Sequence, residues 1–168
     1  MHQSEIKLNF VPITSDAIKE TEGWFDDPDT QRFLGGREWV RRIPALLQDS
    51  PGAEFRGRRV LARYAWVVYA TGRSVGIVDV ERYDDRTAGI ALAVAPAMRG
   101  KGIGRRILSS LETLDELAEV ETFIGAVEPE NEAARRCMRS ARFEVAERVD
   151  EEGMLRISRS VAWKTGGS

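Results

Sequence analysis

Residues 99–104 read Arg-Gly-Lys-Gly-Ile-Gly, and no other stretch of the chain is so well suited to holding an anion. A short apolar strand at 90–94 and Pro96 precede the run, and an amphipathic helical pattern follows it. Amide N–H groups at a helix start point outward, and the helix dipole favours negative charge there. Gly100, Gly102 and Gly104 let the backbone approach phosphate oxygens, and Arg99, Lys101, Arg105 and Arg106 add positive charge. Strand, turn and helix in that order make a site for phosphate or pyrophosphate. The run is not a Walker loop, because no Gly-x-x-x-x-Gly-Lys-Ser/Thr string occurs. A dinucleotide fingerprint wants its first glycine directly after the strand, and Gly100 stands well beyond Val94. Glu119 and Glu121 do lie near the distance of a ribose-binding acid, so that alternative is weakened rather than removed.

Other reactive side chains are few. The single histidine, His2, sits at the N-terminus, which excludes a histidine-based triad or metal site. The single cysteine, Cys137, can form neither an internal disulfide nor a metal cluster. It shares a helical face with Ala134, Met138 and Ala141 and reads as a small core residue. No metal site is expected. Asp79 and Glu81 alternate onto one face near the end of a strand, Tyr83 shares that face, and Glu128 follows a later strand.

The elements that must position these groups follow from periodicity. Residues 5–11 alternate as a half-buried strand, and Thr14 or Ser15 caps a helix at 16–20. Residues 23–36 are turn-rich, with Asp26-Asp27-Pro28-Asp29 as punctuation and Trp24, Phe25, Phe33 and Leu34 interleaved. Residues 38–47 read as a helix limited by Pro44, and 49–57 as a loop. Residues 60–70, 74–83 and 88–94 form an antiparallel meander with turns at 71–73 and 84–86. Ile103, Ile107, Leu108, Leu111, Leu114 and Leu117 form the apolar stripe of one long helix. A strand at 122–127, a helix from Asn131 to about 141, a strand at 143–149 and a strand at 154–163 complete the order, before a polar tail at 164–168. The fold class is α/β: a mixed central sheet of about seven strands with helices on both faces, ordered β-α-α-β-β-β-α-β-α-β-β. The strands at 88–94 and 122–127, joined by a helical crossover, should be parallel.

A length of 168 residues fits one domain, 1–168, and 42% apolar residues can build its core. A net charge of −2 argues against a nucleic-acid binder. No apolar run reaches membrane-spanning length, and the N-terminal residues MHQSEIKLNF lack a signal-peptide core, so no membrane association and a cytoplasmic location are expected.

Arg99 through Gly104 matches the Arg/Gln-x-x-Gly-x-Gly/Ala signature of the GNAT N-acetyltransferase superfamily, with Val94 and Pro96 in place of its usual Val-x-Pro. Residues 131–143 resemble that superfamily's Asn-x-x-Ala-x-x-x-Tyr-x-x-x-Gly-Phe helix at Asn131, Ala134 and Phe143. Met138 stands where the superfamily often has tyrosine, and Arg142 where it usually has glycine. The two matches lie within about residues 75–149.

The resemblance implies an acetyl-CoA-dependent N-acetyltransferase. In such a protein the strands at 88–94 and 122–127 splay apart, the pantetheine arm lies in the gap, and the pyrophosphate sits on the glycine turn. Leu92, Ala93 and Val94 would offer backbone groups to the arm. Arg99, Gly100, Lys101, Gly102, Ile103, Gly104 and Arg105 would hold the phosphates, and Asn131 would touch the arm besides capping its helix. Trp24, Asp27 and Phe33, with Asp26, fall where the superfamily builds its acceptor wall. Glu81 is the candidate general base for a primary amine that attacks the thioester directly in a ternary complex. Backbone N–H groups of the first splayed strand would polarise the carbonyl. The acceptor is left open among small amines, aminoglycoside-like compounds and protein N-termini, and so is a homodimer. Two other readings stand beside this one: a non-catalytic acyl-CoA sensor on the same fold, and a nucleotide-binding regulatory domain.

Overall fold

The computed structural model describes residues 6–161; His2, the last two residues of the expected strand at 154–163, and the tail at 164–168 lie outside them. The chain runs β1 (Leu8–Pro12), α1 (Ser15–Thr21), α2 (Pro28–Leu34), α3 (Glu38–Arg41), α4 (Ile43–Asp49), β2 (Glu54–Phe55), β3 (Arg58–Ala70), β4 (Arg73–Tyr83), β5 (Thr87–Val94), α5 (Ile103–Ser110), β6 (Thr122–Val127), α6 (Glu132–Ser140), β7 (Glu144–Val149) and β8 (Leu155–Ser160). Seven strands follow one another as β1-β3-β4-β5-β6-β8-β7, and β2 pairs with β3 off that path. All neighbours are antiparallel except β5 and β6, the pair joined by the α5 crossover.

Period-two alternation divides the core between two faces of the sheet. Ala65, Val67, Ile77 and Ala93 pack on one face against Ile18, Phe25, Val40 and Ile43 from the segment that holds α1 to α4. Trp66, Val68, Val78 and Val80 pack on the other against Ile103, Ile107 and Leu108 of α5 and Met138 of α6. Burying such side chains removes on the order of 1.5–3 kcal/mol of unfavourable hydration each, which ties both helical layers to the sheet.

Three local expectations change. The turn-rich segment contains helix α2, because Asp27 acts as N-cap, its carboxylate accepting from the Thr30 amide at 3.1 Å, and Pro28 supplies the first helical residue. Pro44 opens α4 rather than limiting a single helix, since a proline in the first turn has no amide to lose. The long helix after the glycine run ends at Ser110 and continues as two 3-10 turns, Leu111–Thr113 and Asp115–Leu117. There Ser110 Oγ donates to the Arg106 carbonyl at 2.7 Å and Thr113 Oγ1 to the Ser110 carbonyl at 2.6 Å, which competes with the helical ladder. Leu111 and Leu117 remain buried in spite of the break.

Arg142 has φ 68°, so the residue in the usual glycine position still adopts the left-handed helix-ending conformation. Gly104 has a different task. A β-carbon there would lie 2.8 Å from Cys137 Sγ and against Val94 and Leu92, so its bare Cα lets α5 approach α6 and β5. Gly104→Ala should therefore destabilise the fold by about 1–3 kcal/mol through overpacking. Cys137→Ala alone should cost about 1 kcal/mol for a small cavity. In the double variant the two costs should add to less than their sum, because removing the sulfur relieves the clash; denaturant unfolding of the four proteins measures this coupling.

Candidate active site

β5 and β6 are paired only at Thr87↔Thr122, Ala88↔Phe123 and Gly89↔Ile124. On its other edge β5 stays in register with β4 as far as Gly76↔Val94. From residue 90 to 94, then, the edge of β5 that faces β6 has no strand to bond with. Backbone groups left in this way need polar partners. An extended ligand with amide groups, laid into the gap, would provide them. Leu92, Ala93 and Val94 all lie on this stretch, with the Ala93 side chain in one core cluster and Leu92 and Val94 packed against the other.

At the open end of the gap stands the glycine turn. Gly100 and Gly102 have φ of 74° and 77°, and Gly102 caps α5 with no side-chain bond of its own. The first rung of the helix joins the Arg106 amide to the Gly102 carbonyl at 3.2 Å, so the amides of Ile103, Gly104 and Arg105 precede the ladder and face the helix end. Lys101 and Arg105 are exposed beside them. Ile103 and Gly104 are buried and hold the turn down rather than presenting side chains to a ligand. Arg99 is already engaged, by an ion pair with Asp27 at 2.9 Å and a hydrogen bond to Thr30 Oγ1. The Thr30 amide, then Arg99, hold the Asp27 carboxyl below its usual range. Asn131 caps α6, its Oδ1 accepting from the Ala134 amide at 3.1 Å. The donor set and the unpaired strand edge fit a pyrophosphate that carries an amide-containing arm.

Beside the root of the gap lies an open cleft of about 450 Å3 between α3, α4 and the β3–β5 surface. Arg63, Asp79, Glu81 and Tyr83 line it. Arg63 donates through Nε and a terminal nitrogen to both oxygens of Asp79, at 3.0 and 2.5 Å. Its other terminal nitrogen donates to Glu81 Oε1 at 2.6 Å and to Ser50 Oγ at 2.9 Å. The Arg63 and Asp79 side chains are only 9% and 10% exposed, so the guanidinium serves as a fixed internal counter-ion. Among the described residues Glu81 Oε2 accepts only from the Tyr83 hydroxyl, at 3.3 Å. Phe55 stacks on the Tyr83 ring with centroids 6.1 Å apart, and the Arg58 guanidinium lies 5.9 Å from the ring centre. Burial, reinforced by the Glu81 charge, pushes the Tyr83 phenol up to about 12, so its proton stays on at neutral pH.

Glu81 was readable from sequence. Arg63, Ser50 and the cleft wall of Trp39, Arg42 and Leu46 were not. Arg63 left one trace, an arginine on the inward-facing phase of the apolar run that holds Ala65 and Val67. Trp24, Asp27 and Phe33 do not line the cleft: Trp24 packs on the core, Asp27 is the α2 cap and Arg99 partner, and Phe33 lies under Arg32. Met138 is 8% exposed within the apolar core, and burial pushes the Cys137 thiol up, so neither is placed as a proton donor or a nucleophile.

Residues 21–143 match the family model for the acetyltransferase (GNAT) family. The chain belongs to this family. It is an acetyl-CoA-dependent N-acetyltransferase, which decides against the sensor and nucleotide-binding alternatives. An uncharacterized N-acetyltransferase of Bacillus subtilis, YfmK, is 28% identical over 145 residues, covering 83% of this chain and 88% of that one. Among solved structures, the aminoglycoside acetyltransferase AAC(6')-Ib in complex with coenzyme A shares the fold at TM-score 0.74 and 17% identity, over 96% of this chain and 100% of that one. RimJ of Mycobacterium smegmatis, in complex with CoA-disulfide, does so at TM-score 0.68 and 17% identity, over 93% and 83%. Among the described residues no helix is long and apolar enough to cross a membrane.

Two measurements probe this site. Calorimetry should show acetyl-CoA binding at micromolar affinity or better, about −8 kcal/mol. Gly102→Val, whose branched side chain is strained at positive φ, should weaken that binding at least about tenfold while circular dichroism stays native. Tyrosinate absorbance should contain a component titrating near pH 12 that Tyr83→Phe deletes. A phenol raised in the folded state contributes stability that is full below its unfolded value, so stability should fall as pH rises from about 10 towards 12.

Proposed function

We propose that the cleft takes a primary amine and that the acetyl group passes to it directly within a ternary complex, in the cytoplasm. The observation that carries this reading is the placement of Glu81, one strand in from the root of the gap, with a single carboxylate oxygen left open to the cleft. Bound acetyl-CoA supplies an activated acyl group. The rest falls to residues of this chain. Glu81 Oε2 receives an ammonium and draws its proton, leaving the nitrogen lone pair free to attack. Backbone N–H groups that β6 leaves unpaired beyond Gly89 polarise a carbonyl lying in the gap. The Tyr83 hydroxyl holds a proton beside Glu81 and can return one to the sulfur that departs. Counted from the ammonium, two protons leave nitrogen, one going to sulfur and one through Glu81 to solvent, while one C–N bond forms and one C–S bond breaks. Lys101 and Arg105, with the amides that open α5, hold the pyrophosphate. Leu92, Ala93, Val94 and Asn131 flank the arm.

A thiol is acidic enough, at a pKa of about 8–9, to leave without a dedicated acid, so Met138 in place of tyrosine does not forbid transfer. Release of free thiol in the presence of a broad amine library tests the activity. Glu81→Gln should lower kcat/KM at least about hundredfold, the usual worth of a positioned base, while acetyl-CoA affinity stays within about twofold. Met138→Leu, which keeps volume and apolar character, should change turnover by less than about tenfold, or 1.4 kcal/mol. A dead but folded Met138→Leu protein with normal cofactor binding would give Met138 a role outside this scheme.

A further inference from the structure

Most charges lining the acceptor cleft are held in ion pairs, and the two that stand open inside it are on Glu81 and Arg42. Arg63 neutralises Asp79 through both carboxylate oxygens and takes one oxygen of Glu81. Two carboxylates against one guanidinium leave a single negative charge, and its open face is Glu81 Oε2. At the cleft mouth Arg56 pairs with Glu152 at 2.8 Å, and Arg156 with Asp150 at 2.7 Å. Glu38 is only loosely held, 3.8 Å from an Arg41 that Glu22 already engages at 3.0 Å, and its carboxylate is 76% exposed to solvent. Arg42, on the same wall, is exposed, lines the cleft, and has no side-chain hydrogen bond or ion pair among the described residues.

We propose that the acceptor is an amine that also carries one carboxylate, its ammonium end on Glu81 and its carboxylate on Arg42. This inference rests on the reading of the cleft as the acceptor site. A polycation finds the wrong field here. Its first ammonium satisfies Glu81, but inside the cleft a further one meets the free charge of Arg42, and the remaining carboxylates are held by arginines or, at Glu38, screened by solvent. A plain alkylamine uses Glu81 and leaves Arg42 idle. An amino acid, or an amine ending in a carboxylate, satisfies both charges, and Trp39, Leu46 and Phe55 offer apolar surface for the chain between them. Guanidinium is the side chain of choice for the carboxylate, since its parallel donors match both oxygens.

The test uses the full chain with saturating acetyl-CoA and matched probes: pentylamine against 5-aminopentanoate, phenethylamine against phenylalanine, with spermidine and kanamycin as polycations. Within at least one pair the carboxylate-bearing member should show a kcat/KM about tenfold higher or more, as expected of a charge-assisted hydrogen bond that only one of the two substrates can make. Arg42→Gln should remove that preference, lowering kcat/KM for the carboxylate-bearing member about tenfold and moving its plain partner by less than about twofold. Calorimetric binding of the favoured probe to the protein loaded with free CoA should weaken in parallel, which separates recognition from turnover. Equal or better use of the plain amines in both pairs, a preference for spermidine or kanamycin, or equal losses for both members in Arg42→Gln overturns the proposal and leaves the transferase reading standing. Intact acetyl-CoA binding with no thiol release from any amine sinks both.

Discussion

The parting of β5 from β6 after three residue pairs is the constraint on which the rest depends. Where the edge left in this way is shielded from water, its unpaired amides and carbonyls need a polar partner, since each unmet buried group costs on the order of 1–3 kcal/mol. The fold tolerates the gap because β5 is held on its other edge by β4 along its length, and by α5 folded across one face. The gap, once held open, needs an occupant with its own amides, and the turn that leads to α5 stands at its mouth. Cofactor binding and sheet topology are thus one problem. The parallel pair that leaves the strand edge open also requires the crossover helix, and the free amides at the start of that helix suit phosphates.

Arg99 shows how the two halves of the site are linked. It lies in the glycine run, where a charge would be expected to reach for phosphate, yet its guanidinium is engaged by Asp27 and Thr30 at the start of α2. The ion pair is partly exposed, and such pairs are individually weak, so its importance is geometric rather than energetic. It ties the glycine turn to the helical segment that leads on to α3 and α4, which wall the cleft. Lys101 and Arg105 stand exposed beside the turn.

Local chemistry and the parallel pairing of β5 with β6 were readable from the sequence, and the side chains that meet across β3 and β4 were not. The glycine run, the meander and the caps at Thr14 and Asn131 are encoded within a few residues, and each stands where periodicity and capping rules place it. The end of α5 was missed because the leucine stripe continues past Ser110 although the backbone hydrogen bonds do not. The cleft wall was missed for a different reason. Arg63, Asp79 and Glu81 meet because Arg63 is opposite Glu81, and Ala65 opposite Asp79, across two strands. That register depends on the turn at 71–73 and on an irregularity in pairing between Val68 and Tyr69, which strand periodicity alone does not reveal. Trp24, Asp27 and Phe33 were the more visible aromatic and acidic cluster, but α2 needed the cap and the core needed the ring of Trp24.

The Arg63 cluster also makes sense as a departure from economy. Burying a guanidinium between two carboxylates seldom adds stability over an apolar core of the same shape, because desolvation offsets most of the attraction. Three inward-facing apolar residues at 63, 79 and 81 would continue the pattern of Ala65, Val67 and Ile77 without that cost. What the ionic cluster does achieve is selectivity among oxygens. Asp79 is saturated, Glu81 Oε1 is saturated, and Ser50 takes a remaining donor of Arg63, so one carboxylate oxygen is left with a long hydrogen bond from a phenol that keeps its proton. A lone glutamate on the same strand would rotate and hydrate freely. Held by Arg63, it offers one lone-pair direction to the cleft, beside the point where the strands part. The stability given up in the core is what orients that one carboxylate oxygen, the atom to which the proposed reaction assigns the role of base.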